Sequence, residues 1–252
     1  MPSSKLAKWL PGREIRIRGD QTVSKWEHFV KCPEATQMYV LAAKLGMDDE
    51  LRDYMVQIAE NEHEQNLRSD RRFNALCLSM AERSNGQIHK WEPIFVPGIA
   101  QTRDYHFNLL PRSQPYTAEQ LNRGWSFKKS RQAALISRTD NPTMRLVIGA
   151  QALRDLGLLT EEAREEQVDR LRELDALPNW EIRIVRGPHP EGASAFDIYK
   201  PAGAEFGSPP FVYTELFDES WCIEETERIA RYDGLWQLLW GKSIPLREFL
   251  ND

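Results

Sequence analysis

The sequence predicts an α+β protein, with a small N-terminal all-α part followed by a larger domain of helices and an antiparallel sheet. Two changes of pattern carry this expectation. Up to about residue 60, apolar residues recur at helical spacing in short, punctuated runs. Between Trp180 and Ile223 the period falls to two, with Gly/Pro-rich loops between the runs. A length of 252 residues also leaves room for a small domain beside a medium one.

The elements follow in order. Ser3 to Leu10 reads as a short helix stopped by Pro11-Gly12, and Glu14 to Arg18 alternates as a short strand or extended loop. Asp20 can cap a helix that carries Val23, Trp26, Phe29 and Val30 on one face. Pro33 suits the first turn of the next helix, where Met38, Leu41, Ala42 and Leu45 form the stripe and Gly46 ends it. Asp48, Asp49 and Glu50 favour another helix start, followed by Leu51, Tyr54, Met55, Ile58 and Ala59 on one side. The polar stretch from Glu60 to Arg72 reads as a connector. Helices are expected at about 102–110, 117–138 and 160–177, the last begun by Thr160. Strands are expected at Trp180–Arg186, Ala195–Lys200, Phe211–Phe217 and Trp221–Ile223. A long helix with Ile229, Tyr232, Trp236, Leu239 and Trp240 along one side follows, then a short terminal one. Short strands with short turns point to a meander rather than βαβ crossovers. The chain thus divides into a partial helical domain (1–65), a connector with the first helix of the second domain (66–90), and an α+β ligand- or partner-binding domain (91–252).

Composition narrows the function classes. The net charge is −5, which excludes a generally basic coat for nucleic acid but leaves room for a local basic face. No apolar run approaches the roughly 18 residues of a membrane span, so no membrane partner is expected. The three cysteines are odd in number and far apart, which suits a reduced cytoplasm. Enzyme motifs are largely missing: there is no glycine-rich phosphate loop and no dinucleotide fingerprint, and no cofactor is expected. Glu60-Asn61-Glu62-His63-Glu64 lacks the second histidine of a zinc helix and reads as a solvated face, so no metal site is expected. Gly192 to Phe196 resembles the start of a nucleophile elbow without its final glycine, and the five histidines have no motif spacing. Glu215 is more informative, because a carboxylate inside the apolar strand Phe211–Phe217 either faces solvent, pairs with an arginine, or points into a pocket. No catalytic residue can be named.

Two segments carry a resemblance. Gln21 to Glu27, followed by Pro33 and Ala42-Lys44-Leu45-Gly46, is similar to the second half of an Xre-type helix-turn-helix. Glu92-Pro93 with Val96-Pro97-Gly98-Ile99-Ala100-Gln101-Thr102 and Tyr105 resembles the signature of a C-terminal domain of unknown function, carried by many actinobacterial helix-turn-helix regulators. Arg131-Gln132, Leu171, Leu174 and Phe211 to Glu215 continue the match in order. The resemblance implies an antitoxin-like transcriptional regulator. It also shows departures: about 20 residues precede Gln21, so the helix-turn-helix is expected to lack its first helix, and Ala150 stands where the family tends to carry glutamate.

Charge patterning agrees with a DNA-facing end. Residues 1–31 carry seven basic against three acidic side chains, a net charge of +4. Candidate DNA contacts are Gln21, Thr22, Ser24, Lys25 and His28 on the proposed recognition helix, with Lys8, Arg16, Arg18 and Lys31 for phosphates. Candidate pocket residues in the second domain are Arg131, Gln132, Phe196, Tyr213 and Glu215. The function expected is a cytoplasmic homodimeric regulator that binds DNA and senses a ligand or a small protein partner. The alternatives are a diverged member without DNA binding: a small-molecule binder or enzyme using the pocket around Glu215, or a protein-interaction module.

Overall fold

A computed structural model describes residues 24–25, 33–60, 66–69, 74–113, 115–189, 192–201, 209–216 and 220–252. Local chemistry accounts for the helix limits. Helix α1 (Ala35–Leu45) opens where the Gln37 side chain accepts from the Glu34 N–H at 2.9 Å, and it closes at Gly46 with φ +66°. Its stripe is Met38, Leu41 and Ala42; Leu45, expected in the same stripe, is exposed. Helix α2 (Asp49–Glu60) begins with the Leu51 N–H donating to Asp48 Oδ1 at 2.8 Å.

Strand β1 (Asn66–Ser69) and helix α3 (Asn74–Ser84) follow, then strand β2 (Gln87–Glu92). A 3₁₀ turn (Gly98–Ala100), a π-helical turn (Tyr105–Leu109) and a second 3₁₀ turn (Leu110–Arg112) precede α4 (Ala118–Ile136). The helix expected at 102–110 is present, but its pitch is π over Tyr105–Leu109 and 3₁₀ over Leu110–Arg112. Next come β3 (Thr143–Gly149), α5 (Ala150–Arg154), a 3₁₀ turn (Asp155–Leu158) and α6 (Glu161–Asp175). Thr160 caps α6 as the sequence suggests, accepting from the Ala163 N–H at 3.3 Å. Strands β4 (Trp180–Val185), β5 (Phe196–Lys200), β6 (Phe211–Glu215) and β7 (Ser220–Ile223) lead to α7 (Thr226–Lys242), β8 (Ile244–Pro245) and α8 (Leu246–Phe249).

The architecture is α+β, built on one mixed sheet of order β1-β7-β6-β5-β2-β3-β4-β8. The expected meander holds for β5, β6 and β7, which pair antiparallel in succession. It fails for β4. That strand lies parallel to β3, and β3 lies parallel to β2, with α4 and α6 supplying the crossovers. The segment read as a connector supplies β1, which pairs with β7. No helix among the described residues is long and apolar enough to cross a membrane.

Both sheet faces are covered. On one, Trp236 and Leu239 of α7 pack with Trp91, Val147, Ile198 and Val212. On the other, Ile88, Leu146, Ile182 and Tyr199 pack with Ala81 of α3, Leu135 of α4 and Leu171 of α6. Helix α2 joins this second core through Tyr54, with Leu51, Met55 and Ile58 packed against it. Sheet register then sets the chemistry of this face. Lys90, Asp197, Tyr213 and Cys222 are directly opposite one another across β2, β5, β6 and β7, so they form one row. The same row continues through Leu146 and Ile182 on β3 and β4.

Candidate functional site

A cavity of about 360 Å³ opens beside the polar half of that row, between the sheet and α4. Its sheet side carries Lys90, Glu92, Asp197, Tyr213 and Glu215; its helix side carries Lys128 and Arg131. The segment from Val96 to Gln101 closes it. That segment is the Val-Pro-Gly-x-x-Gln-Thr signature, and its polar groups have structural work. Gln101 Nε2 donates to the Val96 carbonyl at 2.7 Å, and the Val96 N–H donates to the Tyr105 hydroxyl at 3.0 Å. Gln167 of α6 accepts from the Thr102 N–H at 2.8 Å and donates to the Ala100 carbonyl at 2.9 Å. These bonds satisfy an irregular buried backbone that has no ladder of its own.

The cavity floor is an ion network. Arg131 clasps Glu82 of α3 through Nε at 2.7 Å and through Nη2. Lys90 lies 3.1 Å from the same carboxylate, bonds Asp197, and donates to the Tyr199 hydroxyl at 2.9 Å. Burial pushes the Glu82 carboxyl up, but Arg131 and Lys90 together hold it below the ordinary value. Burial likewise opposes the charge on Lys90, and Asp197 and Glu82 outweigh it to raise that lysine. Within this network Arg131 Nη1 makes none of these bonds.

Three other groups are not neutralised in this way. Glu92 has no hydrogen-bond partner among the described residues; burial, then the nearby Asp197, pushes it up to about 8. Lys128 donates to Gln101 Oε1 at 2.5 Å and to His106 Nδ1 at 3.0 Å, both uncharged partners. Burial and then Arg131 bring it down to about 8. Because Lys128 can only donate, His106 Nδ1 is the acceptor and its Nε2–H donates to the Leu121 carbonyl at 2.8 Å. Burial and the Lys128 charge lower this histidine and keep it neutral. Glu215 is exposed at the end of β6 and accepts from the Tyr213 hydroxyl at 2.7 Å.

Of the five pocket residues expected from sequence, Arg131, Phe196, Tyr213 and Glu215 line this one cavity. The Phe196 ring, however, packs 5.1 Å from Tyr232 of α7 on the opposite face. Gln132 is outside the lining and holds the signature, donating to the Gly98 and Gln101 carbonyls at 3.1 and 2.9 Å. Sequence reasoning missed Lys90, Glu92, Lys128 and Asp197. Of the candidate DNA contacts, Ser24 is partly buried and Lys25 exposed on a helical segment. Lys8, Arg16, Arg18, Gln21, Thr22, His28 and Lys31 lie outside the described residues. Glu60 ends α2, and the rest of its acidic cluster is likewise outside them.

A second cavity, about 520 Å³, lies at the ends of β2, β3 and β4 beside Trp91, Pro93, Gly149 and His189. Ala150, the departure from the family pattern, borders it. Arg154 is the one permanently charged side chain among the described residues lining it, so it offers less for recognising a polar ligand.

A family profile described as Domain of unknown function (DUF5753) matches residues 77–248, a span that holds every lining residue of the first cavity. No curated protein matches. Among solved structures, the archaeal chromatin protein TrmBL2, described as showing a novel mode of DNA binding, aligns at 12% identity and a TM-score of 0.37. That alignment covers 89% of this chain and 68% of the other, and a likeness at this score carries no argument about function.

Proposed function

The chain belongs to the DUF5753 family, and on that premise we propose that it is an antitoxin-like transcriptional regulator that binds DNA and answers to a small ligand held in the charged cavity. In this reading residues 1–65 face DNA, residues 66–90 link the two parts, and residues 91–252 hold the ligand. The observation that carries it is the cavity, where the most distinctive motif of the sequence encloses Glu92 and Lys128 with no opposite charge bonded to either. The DNA end rests on the +4 charge of residues 1–31 and on the exposed Lys25. A path between the two ends is available. Tyr54 of α2 packs in the same core as Cys77 of α3, and α3 carries Glu82 into the cavity floor. A homodimer would present paired basic faces about one helical turn of DNA apart, roughly 34 Å.

One observation favours a second reading, a small-molecule binder or enzyme that no longer contacts DNA. Glu92 and Lys128 line one cavity without a bonded counter-charge, and burial pushes the carboxyl up and the ammonium down, each to about 8, which suits proton transfer.

Binding to duplexes from the protein's own genomic neighbourhood, at two salt concentrations and beside a scrambled duplex, separates the readings. The regulator predicts sequence-selective binding that weakens with salt. Lys25→Ala should lower affinity by about tenfold, and if Lys25 holds a phosphate the salt slope should fall by about one. Absence of selective binding at low salt overturns the DNA reading and leaves the second one.

A further inference from the structure

The cavity's unbalanced groups are arranged by side. On the helix side, Lys128 is bonded only to neutral partners, and Arg131 commits Nε and Nη2 to Glu82. Both flank Gly98: a Cβ built there would lie 3.5 Å from Lys128 Cε and 3.9 Å from Arg131 Nη1. The cavity is therefore bordered at one place by two cationic side chains and by a residue that has no side chain of its own. On the sheet side, Glu92 at the end of β2 has no partner among the described residues, and Glu215 at the end of β6 has one, the Tyr213 hydroxyl. Lys90 cannot serve these carboxyls, because Glu82, Asp197 and Tyr199 already engage it.

Resting on the ligand-binding reading above, we propose that the cavity takes a small zwitterion: an amino-acid-like molecule whose acid group meets Lys128 and Arg131 and whose ammonium meets Glu92 and Glu215. A ligand with only an anionic group would leave the carboxyls uncompensated, and one with only an ammonium would leave Lys128 so. A zwitterion serves both walls at once. It would restore full charge to Glu92 and Lys128, the two groups that burial holds closest to neutrality. The volume of about 360 Å³ admits a molecule of amino-acid size.

Calorimetric titration of the full chain, without DNA, tests this with glycine, 4-aminobutyrate, 6-aminohexanoate and L-lysine as zwitterionic probes. Butylamine and butyrate carry each charge alone. At least one zwitterion should bind about tenfold or more tighter than either single-charge probe. Lys128→Met should reduce its affinity to that of butylamine, and Lys128→Arg should restore most of it. Thermal melting of both variants shows that they remain folded. Butyrate binding as tightly as every zwitterion would make this an anion site, equal binding of butylamine would make it a cation site, and no heat from any zwitterion would leave no such site. Each of these three results overturns the proposal. Because no DNA is present, they leave the DNA-binding reading to its own test.

Discussion

Replacing Lys90 by methionine should destabilise the protein by about 3–5 kcal/mol, the cost of removing one partner from a buried ion network. Methionine keeps the length and apolar stem of the lysine, so the loss is that of the ammonium. Lys90 is 3% exposed and Glu82 is 2% exposed. Without the ammonium, Asp197 loses its cation and Glu82 retains only Arg131. Urea unfolding monitored by the tryptophans reads the change as a shift in midpoint at constant slope. A shift worth less than about 1 kcal/mol would mean that water or relaxation already screens the network. Lys90→Met combined with Asp197→Asn should recover part of the loss, because it removes the carboxylate left without a cation.

Gly149→Ala should cost about 3 kcal/mol, at the upper end of what added core atoms do. Gly149 ends β3, and a Cβ there would lie 2.1 Å from the carbonyl oxygen of Pro93, a backbone atom that no side-chain rotation can move. The residue before that proline is Glu92, so the strain falls on the segment that holds the cavity's unpartnered carboxyl. Thermal melting measures the cost. Gly157→Ala is the control, since nothing lies within 4 Å of a Cβ at that position. Equal behaviour of the two variants would contradict the close approach of β3 to the Glu92-Pro93 turn.

How much of this was readable beforehand depended on whether the cause was local. Helices α1, α2, α4, α6 and α7 are legible because caps and stripes lie within a few residues of one another, as with Gly46 and Thr160. Strand β2 is not. Its sequence, Gln-Ile-His-Lys-Trp-Glu, alternates poorly because both faces are buried, and its lysine is balanced by Glu82 on the preceding helix and by Asp197, which is distant in the chain. The same holds for β3, an apolar run whose parallel partners are fixed only once α4 and α6 cross over. The cavity was half legible. Glu215 stood out as a carboxylate in an apolar strand, and Arg131 and Tyr213 came with it. Lys128 did not, since it is one of two adjacent lysines on a polar helix and only the fold turns it toward Gln101 and His106. The signature residues were recognised as a pattern, but nothing in the pattern says that Gln101 and Thr102 hold the loop while Gly98 opens the cavity.

In the proposed regulator, ligand held in the cavity alters the affinity of the N-terminal part for DNA. The most direct measurement is the affinity for a selected duplex with and without saturating amounts of the zwitterion that calorimetry finds tightest, in the native chain and in Lys128→Met. A regulator of this kind should show a change of at least about fivefold in the native chain, in either direction, and no change in the variant. An affinity that stays the same while the zwitterion is bound would contradict it, because a ligand that favours neither state shifts no equilibrium.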